Sequence, residues 1–189
     1  MLRIMIVIAG FLLTAAVFGG LLWRMAPNQS LLEVSREDVH FPTVSGFNLN
    51  RQEFNFPQDL TGELNILFVP FMQRQQLVVN TWIPFAQETE AAFPSVVYYE
   101  LPTIDEMPSL SHMFVNEGMR AGIPDETARE RTVTLYIDTS EFMEATDIPG
   151  KDEVHVLLVS RSGDILWRTT GQFDETKGET LLGAIIANR

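Results

Sequence analysis

Residues 64–76 read LNILFVPFMQRQQ, and this stretch changes from apolar to polar along its length. Its first part, Leu64 to Phe71, is a nearly continuous apolar run, which is typical of a central strand buried on both faces of a sheet. Its polar end leads into residues 75–92, where apolar residues recur at helical spacing, namely Val78, Trp82 and Phe85. Pro84 is expected to kink this helix because proline removes a backbone donor. The stretch therefore predicts a buried strand, a polar loop and a helix in direct succession.

The segments on either side alternate between strand and helix patterns. Residues 47–56 alternate apolar and polar side chains around Asn50 and Arg51, which predicts a hairpin, and a turn is expected at 59–62. After the first helix the patterns predict strands at 95–100 and 132–137, helices at 110–121 and 140–145, a hairpin of strands 154–159 and 165–169 with Gly163 in its turn, and a final helix at 176–188. This order predicts a mixed α/β domain with helices on both faces of the sheet. The expected core includes Ile66, Phe68, Val97, Leu135, Val156 and Leu158.

The N-terminus predicts a membrane anchor. Ile4 to Trp23 is a run of twenty residues without a charge, flanked by Arg3 and Arg24. Twenty helical residues span about 30 Å, the thickness of the hydrocarbon layer. The alternative is a cleaved signal peptide, but Arg24 fits poorly at the −3 position of a cut after Ala26. We divide the chain into a single transmembrane anchor in residues 1–24, a linker in residues 25–40 with a short helix from about Asn28, and a domain in residues 41–189.

Charge constrains the location and the partners. The chain carries a net charge of −12, which argues against a nucleic-acid partner, because phosphate binding needs a basic face. The few basic residues beside the apolar run favour a cytoplasmic N-terminus and a domain on the exported, periplasmic side. Because an acidic domain is repelled by an anionic lipid surface, we expect contact with the membrane through the N-terminal helix alone.

The sequence lacks the residues and motifs that most kinds of catalysis require. There is no cysteine, so thiol catalysis, disulfides and thiolate metal sites are excluded. The three histidines, His40, His112 and His155, are far apart and form no metal-binding pair motif. A Ser-His-Asp arrangement would lack the G-x-S-x-G elbow, and no phosphate-binding glycine loop is present. We expect no enzyme activity, no cofactor and no metal.

The order of elements resembles the thioredoxin-like superfamily. In that superfamily a strand like Leu64–Phe71 runs into a loop that carries the reactive cysteines, and here Gln73 and Gln76 stand at the C-x-x-C spacing. The cis-proline before the last hairpin has no counterpart, because four residues separate Pro149 from Val154. The resemblance implies a working surface made of three loops: 73–76, 138–140 and 148–151.

A narrower resemblance covers residues 41–182. It rests on Phe41-Pro-x-Val-x-Gly46, Leu49-Asn50, Pro57-x-Asp-Leu-x-Gly62, Gln76, Thr81-Trp82-x-x-Pro84-Phe85, Met119-Arg120-x-Gly-Ile-Pro124, Tyr136-Ile137 and the run from Leu157 to Gly171 with Gly163 and Trp167. These residues are similar to the assembly-factor family of the mitochondrial ATP synthase (Atp ten). The resemblance implies a thiol-free chaperone of membrane-protein subunits, with an ATP synthase subunit as client. The N-terminus does not read as an Arg- and Ser-rich import sequence, so a bacterial relative is indicated.

Five residues are the candidate partner-binding site, and each has a structural alternative. Gln73, Arg74 and Gln76 form either a polar edge that recognises a partner or an ordinary solvated first turn of the helix. We favour the solvated turn. Trp82 would serve as an anchor for a client, although its spacing favours core packing. Arg120, with Arg129 and Arg131, would bind a carboxylate, although ion pairs with Asp125, Glu126 and Glu130 are the simpler use.

The sequence thus predicts a membrane-anchored, non-redox assembly factor or chaperone with a thioredoxin-like domain. The alternative is a solute- or peptide-binding module of the same fold without an assembly role.

Overall fold

The computed structural model describes residues 39–189. The predictions for residues 1–38, which comprise the anchor, the helix near Asn28 and most of the linker, lie outside the described residues. Within residues 39–189, no helix is both long enough and apolar enough to cross a membrane.

The described chain contains eight strands, five α-helices and one 3₁₀ turn. In chain order they are β1 (Val44–Asn48), β2 (Glu53–Phe56), β3 (Leu64–Val69), the 3₁₀ turn (Gln73–Gln75), α1 (Gln76–Ala92), β4 (Val96–Glu100), β5 (Thr103–Asp105), α2 (Ser109–Gly122), α3 (Glu126–Arg131), β6 (Val133–Ile137), α4 (Thr139–Ala145), β7 (His155–Ser160), β8 (Ile165–Thr170) and α5 (Glu175–Ala187). The predicted elements are confirmed, with end points shifted by a few residues. β5 and α3 were not predicted.

Eight strands form two four-stranded sheets with the orders β4-β3-β7-β8 and β2-β1-β6-β5. β3 pairs in parallel with β4 and antiparallel with β7, so the first sheet is mixed. The chain passes from one sheet to the other between β4 and β5, where Leu101 N donates to Phe68 O and Leu135 N donates to Pro102 O. The predicted N-terminal hairpin is present as β1 and β2, and it joins the second sheet through β6.

β3 is buried along its whole length, as its apolar run predicts. Alternate side chains point to opposite faces of a strand, so β3 supplies two cores. Ile66 and Phe68 lie in one core with residues of α1 and α5, and Leu67 lies in the other with residues of α4. Helices therefore cover both faces, as predicted. Of the expected core residues, only Val97 is partly rather than fully buried.

The β7–β8 turn contains Gly163 with a φ of 106°, which confirms the predicted hairpin turn. Asp164 in this turn forms an isolated bridge with His40, near the start of the described chain. Because Leu64 of β3 is paired with Ser160, the turn lies beside the first residue of β3. The other end of β3 leads to the loop between β3 and α1.

Candidate functional site

The loop between β3 and α1 is held by the side chain of Gln75, which is almost fully buried. Its Oε1 accepts hydrogen bonds from the backbone N–H groups of Phe71 at 2.6 Å and Met72 at 3.1 Å. Its Nε2 donates to the carbonyl oxygen of Lys151 at 2.7 Å. One amide therefore fixes the loop and joins it to the segment that precedes β7. The C-x-x-C spacing selects Gln73 and Gln76, and so the sequence reasoning missed the glutamine with this role.

The three loops implied by the resemblance meet at this end of the fold. Lys151 Nζ pairs with Asp105 at 2.9 Å, and the hydroxyl of Thr139, which is buried at the start of α4, donates to the same carboxylate. The hydrogen bond from the Thr139 hydroxyl, followed by those from Lys151, holds the pKa of the Asp105 carboxyl group below its usual value. Asp138 caps α4 by accepting from Ser140 N at 2.9 Å. A continuous set of polar contacts thus connects the loops at 73–76, 148–151 and 138–140.

Gln76 also makes an internal contact. Its Nε2 donates to Glu100 Oε2 at 2.8 Å and to Asn80 Oδ1 at 3.1 Å. Glu100, at the end of β4, is only 6% exposed, and its burial raises the pKa of its carboxyl group. Gln76 therefore supplies a donor to a carboxyl group that has little access to water.

Gln73 and Arg74 are exposed in the same turn. Arg74 forms no ion pair with any residue of the described chain. These two residues and Gln76 form the polar edge of an open groove with a volume of about 800 Å³.

The groove lies between the β3–α1 loop, the β4–β5 region and α2. Seventeen residues line it, and Arg74 is the single charged one among them. Its loop side is formed by Pro70, Phe71, Met72, Gln73, Arg74, Gln76 and Leu77, its other side by Phe114, Val115, Gly118, Met119, Gly122 and Ile123, and the remainder by Pro102, Ile104, Met107 and Thr132. The surface of the groove is therefore apolar with one cationic edge.

α2 forms one side of the groove without being packed into either core. None of its residues with a described side chain is buried. Phe114 is 69% exposed, and Leu77 at the start of α1 is 76% exposed. Leu110 and Met113, also on α2, are exposed as well but do not line the groove. Exposed apolar residues that cluster around a groove are typical of binding surfaces.

The structure does not place Trp82 at this groove. Trp82 is fully buried, its Nε1 donates to Gly171 O at 2.9 Å, and the Phe173 ring centroid lies 5.2 Å away. The core-packing alternative is the one observed. The expectation that Trp82 anchors a client does not fit this structure, because the Trp82 side chain has no exposed surface.

Arg120 is also separate from the groove. It lines a smaller hollow of about 180 Å³ with Phe47 and Met113, and the two hollows share no lining residue. The structure therefore brings Gln73, Arg74 and Gln76 together but not Arg120.

The expected ion pairs of the neighbouring arginines are wrong. Arg131 pairs with Glu90 of α1 at 2.7 Å and lies 4.7 Å from the Tyr98 ring centroid. Arg129 donates to the carbonyl oxygens of Ile123 and Pro124 instead of to a carboxylate. Arg131 pairs with a residue that is distant in sequence because α3 packs close to β4, whereas Arg129 contacts the backbone of the loop just before α3.

The three histidines lie in separate places. His40 contacts Asp164 at 3.3 Å, the His112 ring stacks on Tyr136 at 3.7 Å, and His155 contacts Gly150 O at 2.8 Å. Burial lowers the pKa of His155. No group of three metal-ligating side chains occurs within the described part of the chain.

No protein-family model matches the chain, and no curated relative matches its sequence. Solved structures do match. The exposed lipoprotein thioredoxin from Streptococcus pneumoniae aligns with a TM-score of 0.52 at 9% identity, over 77% of this chain and 99% of that one. BsSco, a member of the Sco family of cytochrome c oxidase assembly proteins, aligns with a TM-score of 0.53 at 11% identity, over 80% of this chain and 95% of that one. The domain has a thioredoxin-like fold, as the order of its elements predicts, and at these identities the likeness extends to the fold alone.

Proposed function

We propose that this chain is a membrane-anchored, non-redox assembly factor that holds an apolar segment of a membrane-protein client in the groove. One observation carries the proposal. Where thioredoxin-like proteins place reactive cysteines, this domain has a glutamine-fixed loop that borders an apolar groove of about 800 Å³. Thiol exchange requires a thiolate, and the full sequence contains no cysteine.

The lining of the groove favours an apolar occupant. Sixteen of its seventeen residues are uncharged, and three are methionines, Met72, Met107 and Met119. Methionine side chains are flexible and polarisable, so they adapt to apolar partners of different shape. Burying an apolar segment here would stabilise the complex by about 25 cal/mol for each Å² removed from water, before the costs of association.

The entry of the chain into the domain is compatible with a membrane tether. Ile165 N donates to Val39 O beside the β7–β8 turn, whereas the groove begins after the opposite end of β3. β3 has six residues, so these two places are about 20 Å apart along the strand. Val39 therefore lies at the end of the domain opposite to the groove. The apolar run at 4–23 supplies the proposed anchor, with the domain on the exported side.

The fold alone does not determine the function, because the same fold can carry many different functional sites. The motifs from Phe41 to Gly171 that resemble the ATP synthase assembly factors support an ATP synthase subunit as the client. The second candidate, a solute- or peptide-binding module without an assembly role, is favoured only by the volume of the groove, which also suits small ligands.

Site-specific photo-crosslinking of the full-length chain in its native membranes tests the proposal. A photoreactive residue replaces Phe114 in the groove, and the control carries it at Ile186, an exposed apolar residue of α5 that does not line the groove. We expect crosslinks to integral membrane subunits from position 114 only. A Phe114→Ser variant should fail to restore assembly of that complex in a deletion strain, whereas Ile186→Ser should restore it. Equal crosslinking from both positions would refute the proposal, and a co-purified solute without protein crosslinks would establish the second candidate.

A further inference from the structure

We infer that the segment held in the groove carries a carboxylate beside its apolar stretch, and that Arg74 binds this carboxylate. This inference rests on the proposed function and names the chemistry of the client.

Ten basic side chains lie within residues 39–189, and eight of them have internal roles. Six form ion pairs with carboxylates. Arg129 donates to backbone carbonyls, and Arg189 lies over the Phe93 ring. Arg74 and Arg120 make no ion pair or side-chain hydrogen bond with described residues, and only Arg74 lines the groove.

The domain offers Arg74 no internal anion at the groove. Glu100, behind Gln76, is buried and uses Oε2 to accept from that glutamine. No other carboxylate lines the groove. A guanidinium group binds a carboxylate through two parallel hydrogen bonds. Elsewhere the domain is strongly acidic, so an incoming carboxylate is repelled from the rest of the surface and attracted to this edge.

The polar edge favours a protein segment over a lipid chain. The Gln73 amide makes no hydrogen bond with described residues and presents both a donor and an acceptor beside Arg74. A peptide group matches both functions of this amide, whereas an acyl chain matches neither. A segment that lies in the groove can therefore place its backbone at Gln73 and its carboxylate at Arg74.

Peptide binding to the full-length chain in lipid nanodiscs tests the inference. The probe is a blocked synthetic peptide with a polar tail, an apolar stretch, one glutamate and an uncharged environment-sensitive dye, compared with the same peptide in which glutamine replaces glutamate. We expect the glutamate peptide to bind about three- to fivefold more tightly, which is the upper part of the range for an exposed ion pair. Arg74→Gln should remove this difference, and the matched control Arg120→Gln should keep it. Arg74 is exposed and Arg120 is partly exposed, and unchanged thermal unfolding checks that the variants fold.

The outcomes separate this inference from the proposed function. If both peptides bind equally to the wild type, and Phe114→Ser weakens both, the carboxylate inference is overturned and the groove remains the client site. If oleate binds in an Arg74-dependent manner and the peptides do not, the occupant is a lipid and the inference is overturned. If neither probe binds, the inference is overturned, and the crosslinking from position 114 decides the proposed function separately.

Discussion

Replacing Gln75 should destabilise the domain more than replacing either neighbouring glutamine. Gln75→Ala leaves two backbone N–H groups, of Phe71 and Met72, and the carbonyl of Lys151 without their partner. Each hydrogen bond of this kind contributes about 0.5–1.5 kcal/mol net, so the loss should total about 2–4 kcal/mol. In a chain of this length that corresponds to a decrease in Tm of about 5–15 °C.

The assay is thermal and urea-induced unfolding of the full-length chain in mild detergent. Gln73→Ala is the matched control, because Gln73 is exposed in the same turn and makes no side-chain hydrogen bond within the described chain. Gln75→Glu retains an acceptor for Phe71 and Met72 but loses the donor to Lys151, so its stability should rise as the pH falls and the new carboxyl becomes protonated. A loss for Gln75→Ala below about 0.5 kcal/mol, equal to the control, would refute the assigned role of the amide.

Three further predictions concern the core, a buried charge and the anchor. Phe68→Ala should cost about 3–5 kcal/mol in urea unfolding, whereas the same truncation of the exposed Phe114 should cost less than about 0.5 kcal/mol; similar costs would contradict the assigned core. Burial raises the pKa of Glu100 above the ordinary 4.5, so the folded state binds more protons and wild-type stability falls as the pH rises from 4.5 through the raised value. Glu100→Gln should therefore be at least as stable as the wild type at pH 7, with an advantage that shrinks on acidification; a constant difference across unfolding curves at several pH values would contradict this. The full-length chain should stay in membranes through carbonate and high-salt washes, and a soluble form that begins near Pro27 would identify residues 4–23 as a cleaved signal.

The elements that could be predicted from the sequence are those with a sufficiently long hydrophobic pattern or a distinctive turn residue. The six-residue apolar run of β3 and the glycine turn between β7 and β8 each have a signature that follows from backbone chemistry. β5 has three residues and α3 has six, which is too short for a hydrophobic period to develop. The cap of α3 was readable, since Asp125 accepts from Ala128 N at 2.7 Å, but a cap without a periodic helix behind it is a weak signal.

The site was only partly predictable, because it depends on which residues are buried and on how α2 is placed. Gln73, Gln75 and Gln76 have the same side chain, and nothing in the sequence distinguishes the one whose amide is enclosed by Phe71, Met72 and Lys151. The stripe of Leu110, Met113 and Phe114 has the spacing of a core-facing helix, yet these side chains are exposed. Only Phe114 of this stripe lines the groove, and its assignment requires knowledge of the neighbouring surface.

The residues that hold the loop in place differ from those that are exposed on the groove. Gln75 and Glu100 are buried, and their hydrogen bonds fix the loop and the end of β4, so changing either acts first on stability. Arg74 and Phe114 are exposed and make no side-chain hydrogen bond or ion pair with described residues, so changing either should alter binding while the fold is retained. A rigid frame with an adaptable surface is the usual arrangement of binding loops. The β3–α1 loop keeps this rigid frame without any thiol and is therefore suited to recognition. Variants of Arg74 and Phe114 should change binding without unfolding the domain.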